Sequence, residues 1–586
     1  MRRIFILSWA FSSMLATGCG SGTGSGGGTP TPPPASPTIS SPSPYYAVAG
    51  SAGFPMQIVG YNFTTTCVVE WNGTALPTSF QSDQFLNIQI PASLVAMPGS
   101  AKITVNDTSS GLSSSAAIFP LLAPAARTAG VVQLISIAPD GSAANGDSLV
   151  AASISQTGRY VAFQSAATNL TSGSASGIYQ IFLRDTCLGA IASCTPSTQL
   201  VSVTDDGSPP NAQSRDSAVS ADGRYVAFDS GASNILPGYS ICSPSLNCVF
   251  LRDMCTGVST GCTPETVLAS VADDGTALDG ASPTISPDGR YVAFNSTGSA
   301  PGVNQIVVRD MCNGAPSGCT PSTSTASLNS AGQPGNANSL HQQLTPDGRF
   351  AAFVTYASNM SNPNTTSDWQ SFWVRDTCTG AAAPCTPTTT REDVSSNGTP
   401  NNSDLFPGAV ASVSDNGRFV SFAASYQSTD LVPQNINGSG NVYWRDTCVN
   451  ATVSCEPSTI LASLGNDGSI ANAGSDTQSL SGDGRYVVFE SIATNLVAFD
   501  NNAAGSWQEI YGRDTCAGAS AGCYPSTVRL AVTTPQPNAF VPGNFPSGLP
   551  VISEDGHYVV FLSSSTDFFS SANVQHAMVY LAKTGY

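Results

Sequence analysis

The chain has 586 residues, a formal net charge of −18 with only 10% charged residues, 55 glycines and 40 prolines. A hydrophobic share of 41% excludes wholesale disorder, and so turn-rich a composition points to a β protein with room for more than one domain. Lys102 and Lys583 are the only lysines and twelve arginines fall in two repeated motifs, so little basic charge is left to track a phosphate backbone and nucleic acid is excluded as a partner.

Arg2 and Arg3 precede an apolar run at 4–15 and then Ala16-Thr17-Gly18-Cys19, the layout of an export signal over residues 1–18. The segment resembles a bacterial lipoprotein signal. That resemblance implies a lipidated Cys19 and a membrane anchor, and Gly20 in place of aspartate implies the outer membrane or cell surface. No other stretch reaches the ~20 apolar residues of a membrane span. Residues 19–36 read as a linker, flexible in its Gly/Ser half and stiffer in its Pro half.

Residues 37–122 alternate apolar and polar positions in short runs such as 54–59 and 101–105, with turn residues between them. Asn72-Gly73 reads as a hairpin turn with both residues at positive φ, Trp71 as a core residue, and the single Cys67 as a small core residue. The wording GYNFTTTCVVEWNGTALPTSF, followed by LNIQIPASLVAMPGSAKITVND, resembles the IPT/TIG domain. This implies an immunoglobulin-like sandwich that serves as a spacer or adhesive module.

From 128 to 586 one phrase returns seven times, from QTGRYVAF at 156–163 to EDGHYVVF at 554–561. Its glycines stand at 158, 223, 289, 348, 417, 484 and 556. A period near 65 marks one supersecondary unit repeated until it closes on itself. Each unit reads as four strands, for example SAVS, RYVAF, VFLRD and TVLASV around an Asp-Gly turn, and seven such units predict a seven-bladed β-propeller. The SPDGRYVAF phrase resembles the TolB-type propeller repeat, in all seven copies. The extra length lies in the second-to-third and fourth-to-first connections, which predicts one face of long loops and one of short turns.

Six repeats carry a cysteine pair seven positions apart: Cys187/Cys194, Cys255/Cys262, Cys312/Cys319, Cys378/Cys385, Cys448/Cys455 and Cys516/Cys523. Each brackets the turn between third and fourth strands, so disulfides are expected, with Cys242/Cys248 as a seventh, in an oxidising compartment. The last repeat lacks a pair because the chain ends at its third strand; residues 131–137 are expected to supply the fourth by pairing with 577–581.

Three histidines are too few for a Ser-His-Asp reading, and no nucleophile elbow is present. His341, on an innermost strand, is the one histidine placed to face a ligand. Asn169, Asn234, Asn359 and Asn495 read as Asx turns, and each Arg-Asp pair as bridging strand ends within or between blades. No metal or cofactor motif is complete, although Asp/Asn-rich loops such as Asp500-Asn501-Asn502 leave calcium open. Trp369, Phe372, Trp507, Phe540 and Phe545 are irregular aromatics near the long loops, with Trp369 and Trp507 the candidate ligand contacts. These features together point to a monomeric, non-enzymatic surface or periplasmic binding or scaffold lipoprotein for an envelope protein or glycan. The alternative is an envelope carbohydrate-active enzyme using the propeller channel.

Overall fold

A computed structural model of the chain describes residues 35–122 and 132–585, apart from short stretches of which 361–368, 433–437, 498–506 and 570–575 are the longest. The export signal, Cys19, most of the linker and the Asp500-Asn501-Asn502 loop lie outside the described residues. Among the described residues no helix is long and apolar enough to cross a membrane.

Residues 38–122 form two sheets over one core. One runs Thr38–Ser43, Phe54–Tyr61, Phe85–Ile90, Thr78–Ser82 in spatial order; the other is centred on Ala117–Leu122, Gly99–Asp107 and Cys67–Trp71. Period-two alternation drives Met56, Ile58, Val69, Trp71, Ile103 and Val105 inward together. Trp71 packs on Phe119 at 5.3 Å, the free Cys67 is buried among them, and Asn72 and Gly73 turn the chain at φ 51° and 79°. A backbone hydrogen bond, Ile118 N–H to the Asn466 carbonyl at 2.7 Å, joins this part to the repeats.

Residues 133–583 contain seven four-stranded antiparallel sheets, six of them hydrogen-bonded in chain order from an innermost to an outermost strand; the fold is a β-propeller. In the second repeat the strands are Ser214–Val219, Tyr225–Ser230, Cys248–Asp253 and Glu265–Leu268. The middle strands are buried on both sides because each sheet packs between two others, hence their continuous apolar wording. The last sheet takes its outermost strand from the other end of the repeat region. Gln133–Leu134 lies antiparallel to Met578–Lys583, with Gln133 opposite Leu581 and Leu134 opposite Tyr580. This closing strand is shorter than the 131–137 expected: the N–H groups of Ile135 and Ser136 both reach the Val579 carbonyl and Ile137 turns to bridge Ala143, while Val131 lies outside the described residues.

The glycine of each repeated phrase sits at φ between 68° and 77°, against the aromatic ring of the repeat before it. A Cβ on Gly223 would fall 2.2 Å from Tyr160, and one on Gly289, Gly348, Gly417, Gly484 or Gly556 would fall 2.2–2.7 Å from Tyr225, Tyr291, Phe350, Phe419 or Tyr486. Gly158 of the first repeat lies on Tyr558 of the last, so the contact runs the whole way round.

The arginine that follows the glycine folds over the next ring at 4.8–4.9 Å in six repeats and forks onto the aspartate ending the third strand. The six ion pairs, from Arg159–Asp185 to Arg485–Asp514, span 2.7–2.9 Å. The same carboxylate accepts the N–H of the first cysteine, as Asp185 does from Cys187 at 2.8 Å, and that cysteine turns at φ near 60° into its disulfide. All seven pairs named above are bonded, with Cα–Cα distances of 5.4–5.8 Å. In the last repeat the arginine becomes His557, the aspartate Lys583 and the first cysteine Gly585.

Cys523 is bonded to Cys516 at a Cα–Cα distance of 5.8 Å, as expected, but residues 520–522 before it and Tyr524 after it lie outside the described residues. Arg485 Nη2 lies 3.6 Å from Cys523 Sγ.

One local expectation holds, since each Arg-Asp pair bridges strand ends, and another is corrected. The adjacent arginine of each Arg-Asp points to the other face, where it bonds an outermost-strand threonine: Arg184 to Thr198, Arg375 to Thr389, Arg513 to Thr527. The recurrent asparagines form no Asx turns. Asn169 Oδ1 accepts from the Asn145 N–H at 3.0 Å and its Nδ2 donates to the Ala143 carbonyl, while Asn145 Oδ1 accepts from the Thr168 N–H. The same reciprocal clamp joins Asn211 to Asn234, Asn336 to Asn359 and Asn472 to Asn495. It ties each fourth-to-first connection to a second-to-third connection, so the long loops share one face.

Two glycine substitutions separate ring closure from ordinary turn strain. Gly141 has φ 84° with open space around it, so Gly141→Ala is expected to cost about 1 kcal/mol from the left-handed backbone alone. Gly158→Ala adds a collision with Tyr558 and is expected to cost about 3 kcal/mol. Thermal or urea unfolding measures both, and equal losses would refute the closing contact.

Candidate functional site

The innermost strands surround a channel cavity of about 320 Å3. Its wall is built from short apolar and small polar side chains such as Ala152, Val219, Ile285, Leu344, Val413 and Ile552. Arginine, lysine and histidine are absent from the described residues lining it. Its only charged lining residues are Asp415 and Glu554, both next to the short Asp-Gly-type turns. Burial, then the charge of Asp415, pushes the Glu554 carboxyl up to about 7; burial likewise raises Asp415.

Toward the long-loop face the innermost strands are irregular. In five repeats one residue stands in the left-handed region, Asp216, Ser282, His341, Thr477 and Leu549 at φ 37–55°, each within a break of register against the second strand. Asp216, Ser282 and His341 leave the cavity lining while Thr477 and Leu549 stay in it, and two polar clusters stand beside these breaks.

The first cluster joins the second, third and fourth repeats. Ser282 Oγ donates to Asp216 at 2.8 Å and its N–H to Asp229 at 3.2 Å. Asp229 is buried, and desolvation followed by the charge of Asp216 pushes its carboxyl up to about 7. His341 lies within the field of Asp216, but desolvation dominates and lowers its imidazole below the ordinary value, so it is neutral at pH 7. His341 is on the expected strand, yet the channel is lined by its neighbours Gln342, Gln343 and Leu344.

The second cluster joins the sixth and seventh repeats and opens into a groove of about 250 Å3. Glu490 is buried in its floor and accepts from Thr477 Oγ1 at 3.1 Å, Gln508 Nε2 at 3.1 Å and the Leu549 N–H at 2.9 Å. Gly548 leaves room for it, since a Cβ there would meet Glu490 Oε2 at 2.6 Å. Burial, then the neighbouring Glu490 carboxylate, raises the Asp476 carboxyl above its ordinary value. Beside this groove stand Trp507 and Phe545, 6.0 Å apart, tilted by 50° and both exposed.

The expected aromatics therefore divide. Trp369, Trp507 and Phe545 are exposed on the long-loop side, whereas Phe372 is fully buried against Phe422 at 6.0 Å, a core residue. The side chain of Phe540 lies outside the described residues. The carboxylates at these sites escaped the sequence reading although a signal was there. One place after the repeat phenylalanine the series reads Gln164, Asp229, Asn295, Val354, Ala423, Glu490, Leu562, with two acids among otherwise uncharged residues.

The cysteine clusters are structural. Asp185 with Cys187 and Cys194, and their counterparts in later repeats, have ligand-like spacing, but their sulfurs are bonded to each other and their carboxylates to arginine. Cys523 is of the same kind: its sulfur is taken by Cys516, and Asp514 beside it is held by Arg485 at 2.7 Å.

No family model matches the chain, and no curated protein does. Among solved structures it is similar to the β-propeller domain of the Trilobed protease from Pyrococcus furiosus, at 10% identity over 75% of this chain and 94% of that one, TM-score 0.38. It is similar to a putative TolB from Agrobacterium tumefaciens, at 14% identity over 66% and 94%, TM-score 0.29. It is also similar to an oligogalacturonate lyase from Vibrio parahaemolyticus, at 10% identity over 77% and 96%, TM-score 0.38. At such values each is a likeness of fold, and the site is read from this chain's own residues.

A further acid is buried inside the sixth repeat. In five repeats a serine after the outermost strand accepts a third-strand N–H, as Ser202 does from Ile181; in the fourth Asp393 does so, and in the sixth Ala531 stands there. Glu509 beside it has neither carboxyl oxygen hydrogen-bonded, and burial pushes it up to about 9. Glu509, Glu554 and Asp229 hold their protons longer folded than unfolded, so stability falls as pH rises from about 4 through about 9. Asp310 and Asp376 act oppositely. Burial raises them, but bonds from Arg290, Arg349 and cysteine N–H groups outweigh it, so their stabilisation is lost below about pH 4. The melting temperature is expected to peak in mild acid, and Glu509→Gln to flatten the alkaline limb. An unchanged slope between pH 5 and 9 in that variant would refute the assignment.

Proposed function

We propose that this protein is a non-enzymatic binding module of the cell envelope that holds a neutral polysaccharide on its long-loop face. The reading takes the seven repeats as a seven-bladed TolB-type propeller, preceded by an IPT/TIG-like sandwich and tethered through a lipidated Cys19 at the outer membrane or cell surface. The disulfide set fits an oxidising, extracytoplasmic compartment.

The observation that carries the proposal is the pairing of exposed Trp507 and Phe545 with the groove floored by Glu490 and Gln508. A flat aromatic stacks on the apolar face of a sugar ring, while a carboxylate and an amide at its edge take the ring hydroxyls. The groove and the channel offer no cation among their described lining residues, so a polyanionic chain finds no counter-charge there.

The enzyme reading would recruit Asp476 and Glu490. A glycosidase holds its two carboxyls about 5 Å or more apart, with the sugar between them. Here the two stand directly opposite each other on adjacent strands of one sheet, not facing each other across a cleft, which supports binding over hydrolysis.

Retention on immobilised neutral polysaccharides, followed by assay of the supernatant for reducing ends and unsaturated products, tests the proposal. Retention without released product is expected, and Trp507→Ala with Phe545→Ala should weaken it at least tenfold at a nearly unchanged melting temperature. Turnover abolished by Asp476→Asn would establish the enzyme reading instead, and retention only of envelope proteins would replace glycan with protein as the partner.

A further inference from the structure

Trp507-Gln508 precedes the third strand Glu509–Asp514 of the sixth repeat, and Trp369-Gln370 stands in the same register before the third strand Ser371–Asp376 of the fourth. The corresponding pairs elsewhere are Ile178-Tyr179, Leu246-Asn247, Val303-Asn304, Ser439-Gly440 and His576-Ala577, so the Trp-Gln pair is confined to two alternate repeats.

In both the glutamine is anchored and the tryptophan is exposed to solvent. Gln508 donates to Glu490; Gln370 Nε2 donates to Tyr356 Oη at 2.6 Å, and its N–H donates to Asp404 Oδ1 at 2.7 Å. Asp404 also fixes the next repeat, its carbonyl accepting the Ser425 N–H at 3.2 Å. Around that junction Tyr356, Trp369 and Tyr426 are 40%, 45% and 58% exposed. Three large aromatics beside a carboxylate, at the end of strands whose other aromatics are buried, are not explained by packing.

We propose that Trp369, Tyr356 and Tyr426 form a second sugar subsite, so that one neutral polysaccharide chain is held at two places on the same face, by the fourth and sixth repeats together. This rests on the glycan reading above. The occupant is a chain and not a small sugar because the two Trp-Gln pairs are separated by a whole repeat. A ligand that reaches both gains effective concentration at the second once bound to the first.

The test measures affinity of the full-length protein for hydroxyethyl cellulose and for xylan, against short oligosaccharides of the same linkages, in wild type, Trp369→Ala, Tyr426→Ala and Trp507→Ala. Wild type is expected to bind one of the polymers at least tenfold more tightly than its oligosaccharide. Trp369→Ala and Trp507→Ala should each remove that advantage while leaving oligosaccharide binding at the remaining subsite. Tyr426→Ala, which alters only an exposed side chain, should reduce polymer binding at an unchanged melting temperature. If Trp507→Ala weakens polymer binding and neither Trp369→Ala nor Tyr426→Ala does, the second subsite is overturned and the first stands. If neither polymer is retained by the wild type, both fall.

Discussion

The glycine of each repeat resting on the aromatic ring of the one before is the constraint from which the rest of the propeller follows. With φ near 75° and a ring where a Cβ would be, the position admits glycine alone. The ring is in turn covered by the arginine that follows the glycine of its own repeat, and that arginine is held by the aspartate ending the third strand. The aspartate caps the turn into the disulfide. A single contact between sheets thereby fixes a chain of partners within each sheet: glycine, ring, arginine, aspartate, cysteine. Their wording is almost invariant for this reason. In the last repeat His557, Lys583 and Gly585 stand at the places of the arginine, the aspartate and the first cysteine, while the glycine and the ring remain.

That coupling is why so much of the fold was legible. A residue bound to a partner in the next repeat must recur whenever the partner does, so periodicity exposes the strands, the turns, the disulfide pairs and the strand borrowed at closure. The pairing of Cys523 with Cys516 could be read in this way from the spacing of the other five repeats alone. The asparagine clamps were half legible. Asn169 and its counterparts recur at a fixed place, but their partners sit in connections of varying length, so a local turn and a clamp between loops read alike until Asn145 is seen beside Thr168.

The candidate sites were less legible, for a physical reason. They depend on a one-residue bulge, and a bulge shifts every later side chain by one place without leaving a mark in composition. His341 shows the effect: it is on an innermost strand as expected, yet it falls in the register break after Leu340, and the wall is formed by Gln342, Gln343 and Leu344. Asp476 and Glu490 are opposite each other across two strands, a pairing visible only once that register is known. The exposed tryptophans were visible because large aromatics outside the repeat pattern stand out in the sequence itself.

The two faces of the molecule divide their chemistry by charge as well as by loop length. Twelve arginines are committed to the repeated ion pairs and threonine contacts, so a chain of net charge −18 keeps almost no cation for its surface. Such a surface repels phosphate, uronate and sulfate chains at long range. What remains for recognition is hydrogen bonding and stacking, which the long-loop face supplies through amides, carboxyls and exposed rings. These are groups that select by shape and hydroxyl pattern, and they lie on the one face where the repeats differ in sequence, because the clamps hold the loop bases at fixed places whatever the length of the loop between them.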